Sequence, residues 1–127
     1  MAEWMRHGAF AVRPYLYGNL ATIGFIREVF GAQVLEQLEN LGTSPGFHVE
    51  FQIADGGLVL EASDAWTRDM PTQSTYVYVP DVDDAFIRAI AMGGTPIGEP
   101  EDKPYQERAC GVRDPFGNVW YIATYTG

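Results

Sequence analysis

Polar side chains at alternate positions mark the first place where chemistry is expected. His48, Glu50 and Gln52 alternate in the strand-like run 47–54, and Glu61 lies in a second strand-like run. Imidazole and carboxylate groups are the types that hold a metal ion or act as a general base. Three interpretations stay open: a metal site at His48, Glu50 and Glu61, a base at His48 or Glu61, and a hydrogen-bonded sheet position for His48.

Aromatic side chains and one arginine extend this candidate site. Arg13, Tyr15 and Tyr17 alternate along the run 10–17, and Tyr121 lies in a later run. Aromatic rings bind flat or cationic ligands by stacking and cation–π contact. The alternatives are that the tyrosines are strand packing residues and that Arg13 forms an internal ion pair with Glu61.

Composition limits the classes of function. The chain has 127 residues, 46% of them hydrophobic and 20% charged, which indicates one globular domain spanning 1–127. Its net charge of −9 argues against nucleic-acid binding and favours cationic partners, although acidity also serves solubility. The sequence contains no long apolar run and begins without a secretory signal, so we expect no membrane span and a cytoplasmic protein. Cys110 is the only cysteine and is expected to be a small half-buried hydrophobe.

A repeat organises the chain. Phe25-Ile26-Arg27 recurs as Phe86-Ile87-Arg88, an offset of 61 residues, and each copy lies in a helical pattern, at about 20–30 and 83–92. Asn19 and Gly31 are the candidate start and stop signals of the first helix.

The same order of elements surrounds both helices. A strand precedes each helix and three follow it, so the chain is predicted to contain two β-α-β-β-β units. Module one is residues 9–62, the linker is 63–73, and module two is 74–125. The predicted strands are 10–17, 33–39, 47–54, 58–62, 74–80, 95–99, 107–112 and 119–124.

Several stretches of this pattern resemble the vicinal oxygen chelate superfamily, which includes glyoxalase I, bleomycin-resistance proteins and extradiol dioxygenases. The most specific stretch is 111–120, whose Asp114-Pro115-Phe116-Gly117-Asn118 is similar to the family's signature hairpin. Residues 77–85 resemble its strand-to-helix junction, and 13–16 and 47–53 resemble the bleomycin-resistance-like and phosphonate-operon-B-like branch. The resemblance implies an α+β fold in which two modules form a curled mixed sheet around a ligand cup. It also implies a homodimer.

Metal-using members of that family place two histidines and two glutamates on the first and last strands of the modules. Carried over, those positions fall on Arg13 or Ala11, Glu61, Thr75 and Tyr121. Only Glu61 matches, and a single carboxylate does not hold a divalent ion tightly. We therefore expect no metal and no other cofactor at the family's site.

Strand alternation then predicts what lines the cup. Thr75, Val77 and Tyr121 are expected to point inward with Glu61, while Tyr76, Tyr78 and Trp120 face the helices. Trp66 in the linker either covers the cup or lies in a dimer contact. The predicted ligand-binding residues are Arg13, Tyr15, Tyr17, His48, Glu50, Glu61, Trp66, Thr75 and Tyr121.

Three functions compete at this stage. The first is a metal-free protein that sequesters an aromatic or cationic small molecule, as in antibiotic resistance. The second is an enzyme of the same superfamily, either a metal-dependent lyase, isomerase or dioxygenase or a metal-free variant. The third is a structural or regulatory module whose cup is filled by side chains.

Overall fold

The chain folds into two four-stranded sheets and two helices. The computed structural model describes residues 4–6, 10–40 and 45–127. In chain order the elements are β1 (Tyr15–Gly18), α1 (Leu20–Phe30), β2 (Gln33–Glu39), β3 (Phe47–Ile53), β4 (Gly56–Ala62), β5 (Ser74–Tyr78), α2 (Val82–Ala91), β6 (Thr95–Lys103), β7 (Glu107–Arg113) and β8 (Val119–Tyr125). The predicted α+β class is confirmed.

Both sheets have the same topology. Their strand orders are β1-β4-β3-β2 and β5-β8-β7-β6. The first strand of each sheet runs parallel to the last, and the other neighbours are antiparallel. Neither sheet closes into a barrel, and the repeat seen in the sequence thus reappears as two copies of one arrangement.

Local signals explain where the helices begin and end. The Asn19 side chain accepts a hydrogen bond from the Thr22 N–H at the start of α1, and Gly31 adopts the left-handed conformation at its end. Asp81 caps α2 in the same way through the Asp84 N–H. Neither helix is long and apolar enough to cross a membrane.

The first strand is shorter than predicted. It begins at Tyr15 instead of residue 10. Pro14 has no N–H to donate to a neighbouring strand, and its carbonyl accepts the N–H of Val59 just before β1 begins. The alternating pattern of residues 10–14 therefore predicted a strand, but their backbone forms no strand pairing.

One apolar core joins the two modules. Both helices pack on the same side of their sheets and contact each other. Trp120 of β8 is fully buried, and its ring lies 4.9 Å from the Phe30 ring and 6.3 Å from the Phe25 ring of α1. We call the opposite surface of each sheet its helix-free face.

The hairpin before β8 is tied together by a buried carboxylate. Asp114 Oδ1 accepts the N–H groups of Phe116, Gly117 and Asn118, at 2.9–3.0 Å. Its Oδ2 accepts Asn118 Nδ2 at 3.2 Å and Trp120 Nε1 at 2.9 Å. This hairpin is thus a structural device that holds the turn and fixes the indole in the core.

The same hairpin connects the modules through Asn118. Its amide nitrogen donates to the Tyr17 carbonyl of β1 at 2.8 Å, and its amide oxygen accepts the Gln73 N–H at 2.9 Å. Asn118 is fully buried, so these bonds are shielded from competing water. They fix the start of β5 and β8 against the end of β1.

Asp114→Asn is expected to lower the free energy of unfolding by about 2–4 kcal/mol, because its new amide nitrogen faces two donors, Asn118 Nδ2 and Trp120 Nε1. Urea unfolding followed by tryptophan fluorescence measures the change. The matched control is Asp55→Asn in the exposed β3–β4 turn, which removes the same charge and should change the free energy by less than about 0.5 kcal/mol. Equal losses in the two variants would contradict a special role for Asp114.

Candidate functional site

The helix-free face of module one carries a chain of ionic contacts. Arg13 Nη1 donates to Glu50 Oε1 at 2.5 Å, and His48 Nε2 lies 3.1 Å from Glu50 Oε2. Arg6 Nε lies 3.4 Å from the same carboxylate. Glu50 is buried, and although burial alone would raise its pKa, the bonds from Arg13 and His48 hold that pKa below its usual 4.5.

Glu61 lies next to this chain but is not bonded into it. His48 Nδ1 is 3.2 Å from Glu61 Oε2, but the two groups are not aligned for a hydrogen bond. No other described residue donates to that buried oxygen. The alternative of an internal ion pair between Arg13 and Glu61 is wrong, since Arg13 pairs with Glu50.

Aromatic rings flank these charges. Tyr15 and Tyr17 project from β1 onto the same face, with ring centroids 5.6 Å apart. Burial, followed by the negative charge of Glu61, raises the pKa of Tyr15 to about 12, so its phenol stays protonated at neutral pH. Trp66 packs edge-on against Tyr17 at 5.9 Å and donates its Nε1 hydrogen to the Glu61 carbonyl.

Module two has a different constellation on its helix-free face. Tyr76 and Tyr78 project from β5, and both phenols donate to the Glu107 carboxylate of β7. These two hydrogen bonds, of which that from Tyr76 has the larger effect, hold the pKa of Glu107 below its usual value. The same bonds raise the pKa of both tyrosines. Tyr121 of β8 is the register partner of Tyr76.

A cavity of about 560 Å³ opens on this face of module two. Tyr76, Tyr105 and Tyr121 supply its aromatic walls, Ala109 and Gly111 its floor, and Glu99, Glu101 and Lys103 its charges. Its volume is within the range of small-molecule sites. A smaller cavity of about 270 Å³ lies between the β3–β4 turn and β5.

The predicted site residues therefore fall into three groups. Module one brings together Arg13, Tyr15, Tyr17, His48, Glu50, Glu61 and Trp66. Tyr121 belongs to the cavity of module two instead. Thr75 is on neither helix-free face.

The predicted orientation of β5 is wrong. Thr75 is the register partner of the buried Trp120, and Val77 that of the buried Ile122, so both lie on the helix side. Tyr76 and Tyr78 occupy the positions on the helix-free face that had been given to Thr75 and Val77. Partners in a sheet ladder point to the same side, and a shift of one residue reverses every side chain.

Three residues of module two were not predicted from the sequence: Tyr76, Tyr78 and Glu107. Their signal was in the repeat, because the offset of 61 places Tyr76 and Tyr78 opposite Tyr15 and Tyr17. The family's ligand position at Thr75 predicts that Thr75 and Val77 point away from the helices. The repeat predicts the opposite orientation of β5, which is the one observed. Glu107 has no counterpart of this kind, and only the fold brings it to the tyrosines.

Comparison with protein families decides the membership. The family model described as "Glyoxalase/Bleomycin resistance protein/Dioxygenase superfamily" matches residues 21–122. The chain belongs to this superfamily. The particular branch suggested by the sequence stays a proposal, and no curated protein sequence matches the chain.

Solved structures of the superfamily share the architecture. TioX from Micromonospora sp. ML1 is 21% identical with a TM-score of 0.66, covering 91% of this chain and 99% of its own. The glyoxalase-related enzyme from Fulvimarina pelagi is 20% identical with a TM-score of 0.64, covering 91% and 88%. The fosfomycin resistance protein FosX from Listeria monocytogenes is 16% identical with a TM-score of 0.64, covering 93% and 94%. Identities this low establish a shared fold alone.

The residues present do not fit the superfamily's metal. Arg13 is a cation bound to Glu50, β5 presents Tyr76 and Tyr78 on its helix-free face instead of Thr75, and Tyr121 lies in the cavity of module two, so none of these positions supplies a histidine or a carboxylate. His48 has one ring nitrogen against each of two carboxylates, on opposite edges of the ring. Within residues 4–6, 10–40 and 45–127, no three His, Cys, Asp or Glu side chains are grouped to hold an ion.

Glu50 makes the stability of the protein sensitive to acid. The pKa of Glu50 is lower in the folded state than in the unfolded state, so the ionised carboxylate stabilises the fold above pH 4.5. This stabilisation is lost as the pH falls through the folded-state pKa. Glu50→Gln is therefore expected to lose about 1–3 kcal/mol of unfolding free energy at pH 7 and to show a shallower decline below pH 4.5. Unfolding in urea between pH 3 and 7 measures both effects.

The control for this prediction is Glu28→Gln. Glu28 is exposed on α1, outside the ionic chain of module one. Its variant should keep the wild-type pH dependence. If Glu50→Gln kept that dependence too, the carboxylate would not be the acid-sensitive group.

Proposed function

We propose that this protein is a metal-free small-molecule-binding protein that sequesters an aromatic or cationic compound on the helix-free faces of its sheets. The observation that carries the proposal is the open cavity of about 560 Å³ on module two, with its three tyrosine walls. Tyr76, Tyr105 and Tyr121 are each 43–58% exposed there, although large aromatic side chains are usually covered. A ligand that stacks on them would cover this surface.

The face of module one supports binding and not metal chemistry. Glu50 is contacted by both Arg13 and His48, so these described residues offer no set of free ligands for an ion. The phenols of Tyr15 and Tyr17 and the unbonded oxygen of Glu61 are the polar groups that remain for an organic ligand. We propose them, with Trp66 beside Tyr17, as a second binding surface.

A second copy of the chain is the proposed partner. The edge strand β2 exposes Val34, Leu35 and Leu38, each 37–46% accessible. Apolar side chains on an exposed sheet edge favour contact with another chain. The homodimer expected from the sequence would cover them.

Light scattering coupled to gel filtration tests the dimer. The expected mass is twice the 14.1 kDa of one chain. Leu38→Asp, which places a charge in the exposed apolar row, should shift the protein to the monomer. A wild-type protein that is monomeric at micromolar concentration would exclude this partner.

Binding is tested with a panel of planar aromatic compounds, both neutral and cationic. We expect saturable quenching of intrinsic fluorescence by some members, and at least about tenfold weaker binding to Tyr121→Ser, because this variant removes one aromatic wall of the cavity. Ile87→Ala on the exposed surface of α2 is the matched control and should bind as the wild type does. A panel without any saturable ligand would count against the proposal.

Elemental analysis of the purified protein separates this function from the metal-dependent lyase, isomerase or dioxygenase. The expected metal content is far below one equivalent. Stoichiometric zinc, nickel, iron or manganese would overturn the metal-free assignment.

A further inference from the structure

The two modules carry the same tyrosine pair in different electrostatic surroundings. Tyr15 and Tyr17 of β1 and Tyr76 and Tyr78 of β5 are related by the repeat. The ring centroids are 5.6 Å apart in both pairs, with interplanar angles of 76° and 65°. The aromatic geometry has thus been kept while the charges around it differ.

In module one the buried carboxylate beside the tyrosines has basic partners. Glu50 lies within 4 Å of the Arg13 and Arg6 guanidinium groups and of His48. Glu61 has the His48 ring beside it, but the two groups are not aligned for a hydrogen bond. A cationic ligand would find the charge of Glu50 already compensated by the two arginines.

In module two Glu107 has no such partner. It accepts only the phenols of Tyr76 and Tyr78, and no basic side chain in the described part of the chain lies within 4 Å of it. Only 9% of the residue is exposed, so water screens its charge poorly.

The basic groups nearest in sequence are engaged elsewhere. Lys103 pairs with Glu101, and Arg108 pairs with Asp83 and Asp102. Arg113 shares the alternation of Glu107 but lies at the other end of β7, roughly 20 Å along the strand. The charged residues that line the cavity are Glu99, Glu101 and Lys103, and Glu107 lies next to the cavity through its bond to Tyr76, so this face retains a net negative charge.

A phenol that donates its hydrogen to a carboxylate takes on part of the negative charge, and its ring face becomes more attractive to a cation. We propose that module two binds an organic cation, a quaternary ammonium or similarly weakly hydrated group, in the cavity lined by Tyr76 and Tyr121, against the Tyr76 ring and next to Tyr78 and Glu107. This inference deepens the proposed function and rests on it, because it assigns the charge of the ligand and the residues that recognise it.

The same geometry argues against a small hydrated ion. Both Glu107 oxygens already accept a phenol, and the carboxylate is covered by the rings. A strongly hydrated ion would lose its water without gaining enough oxygen ligands. A quaternary ammonium has little hydration to lose and gains most from ring faces.

Benzyltrimethylammonium and its neutral isostere neopentylbenzene test the assignment. The wild-type protein should bind the cation about tenfold more tightly than the isostere, and Glu107→Gln should lose most of that preference while its affinity for the isostere changes less than about twofold. Glu28→Gln is the matched control, since it removes the same charge from the exposed surface of α1, away from the cavity, and it should weaken cation binding less than about twofold. Chemical-shift mapping of the tyrosine rings in the wild-type protein gives a second readout, which does not depend on whether Glu107→Gln folds.

The outcomes separate the two proposals. Cation-induced shifts at Tyr76 and Tyr78 that exceed those at Tyr15 and Tyr17 support the cation site. Equal affinity for cation and isostere overturns the cation site and leaves the proposed function standing. Equal weakening by Glu107→Gln and Glu28→Gln also overturns it, because the attraction would then come from the general field of the acidic protein. Failure of both probes, with the broader aromatic panel also unbound, rejects both.

Discussion

The Asp114 carboxylate is buried without a positively charged partner among the described residues. Five hydrogen-bond donors surround it instead. Three of them are backbone amides of its own turn, and the others are the Asn118 amide and the Trp120 indole. A buried charge is tolerated only when hydrogen bonds replace the lost hydration. The five donors are therefore held in place by their hydrogen bonds to the Asp114 carboxylate.

That constraint extends through the fold to both helix-free faces. Trp120, held by Asp114, packs against Phe25 and Phe30 of α1 and so makes the two modules share one core. Asn118 reaches the carbonyl of Tyr17, whose side chain belongs to the aromatic pair of module one. The hairpin that resembles the superfamily's signature thus acts on stability and position, and the proposed binding residues lie elsewhere.

The two helix-free faces show how duplicated modules diverge while their backbones stay alike. The tyrosine pairs keep their spacing, but the acids next to them come from non-equivalent strand positions. In module one the ionic chain from Arg13 to His48 compensates the carboxylate. In module two the phenols themselves stabilise Glu107. The charge of Glu50 is therefore compensated, whereas Glu107 keeps a negative charge without a basic partner among the described residues, beside two exposed rings.

The sequence by itself determined the architecture, because the signals that specify it are local. Asn19, Gly31 and the 3.6-residue apolar spacing defined α1, and the repeat supplied the order of elements in both modules. The charge balance also came from residue identity alone, whereas the family's ligand position on β5 was assigned to the wrong face of that strand. The strand ends were less certain, as Pro14 showed for β1.

The tertiary structure alone decided which side chains meet. Which face of β5 carries Tyr76 depends on its register with β8, and a run of alternating polar and apolar residues with a tyrosine at every second position fits either phase. The pairing of Arg13 with Glu50 and not with Glu61 was likewise decided by the tertiary structure, because both glutamates are distant from Arg13 in sequence. Glu107 reaches the two phenols from a strand about 30 residues away. Local propensity carries no information on such long-range contacts, which form only when the sheet is assembled.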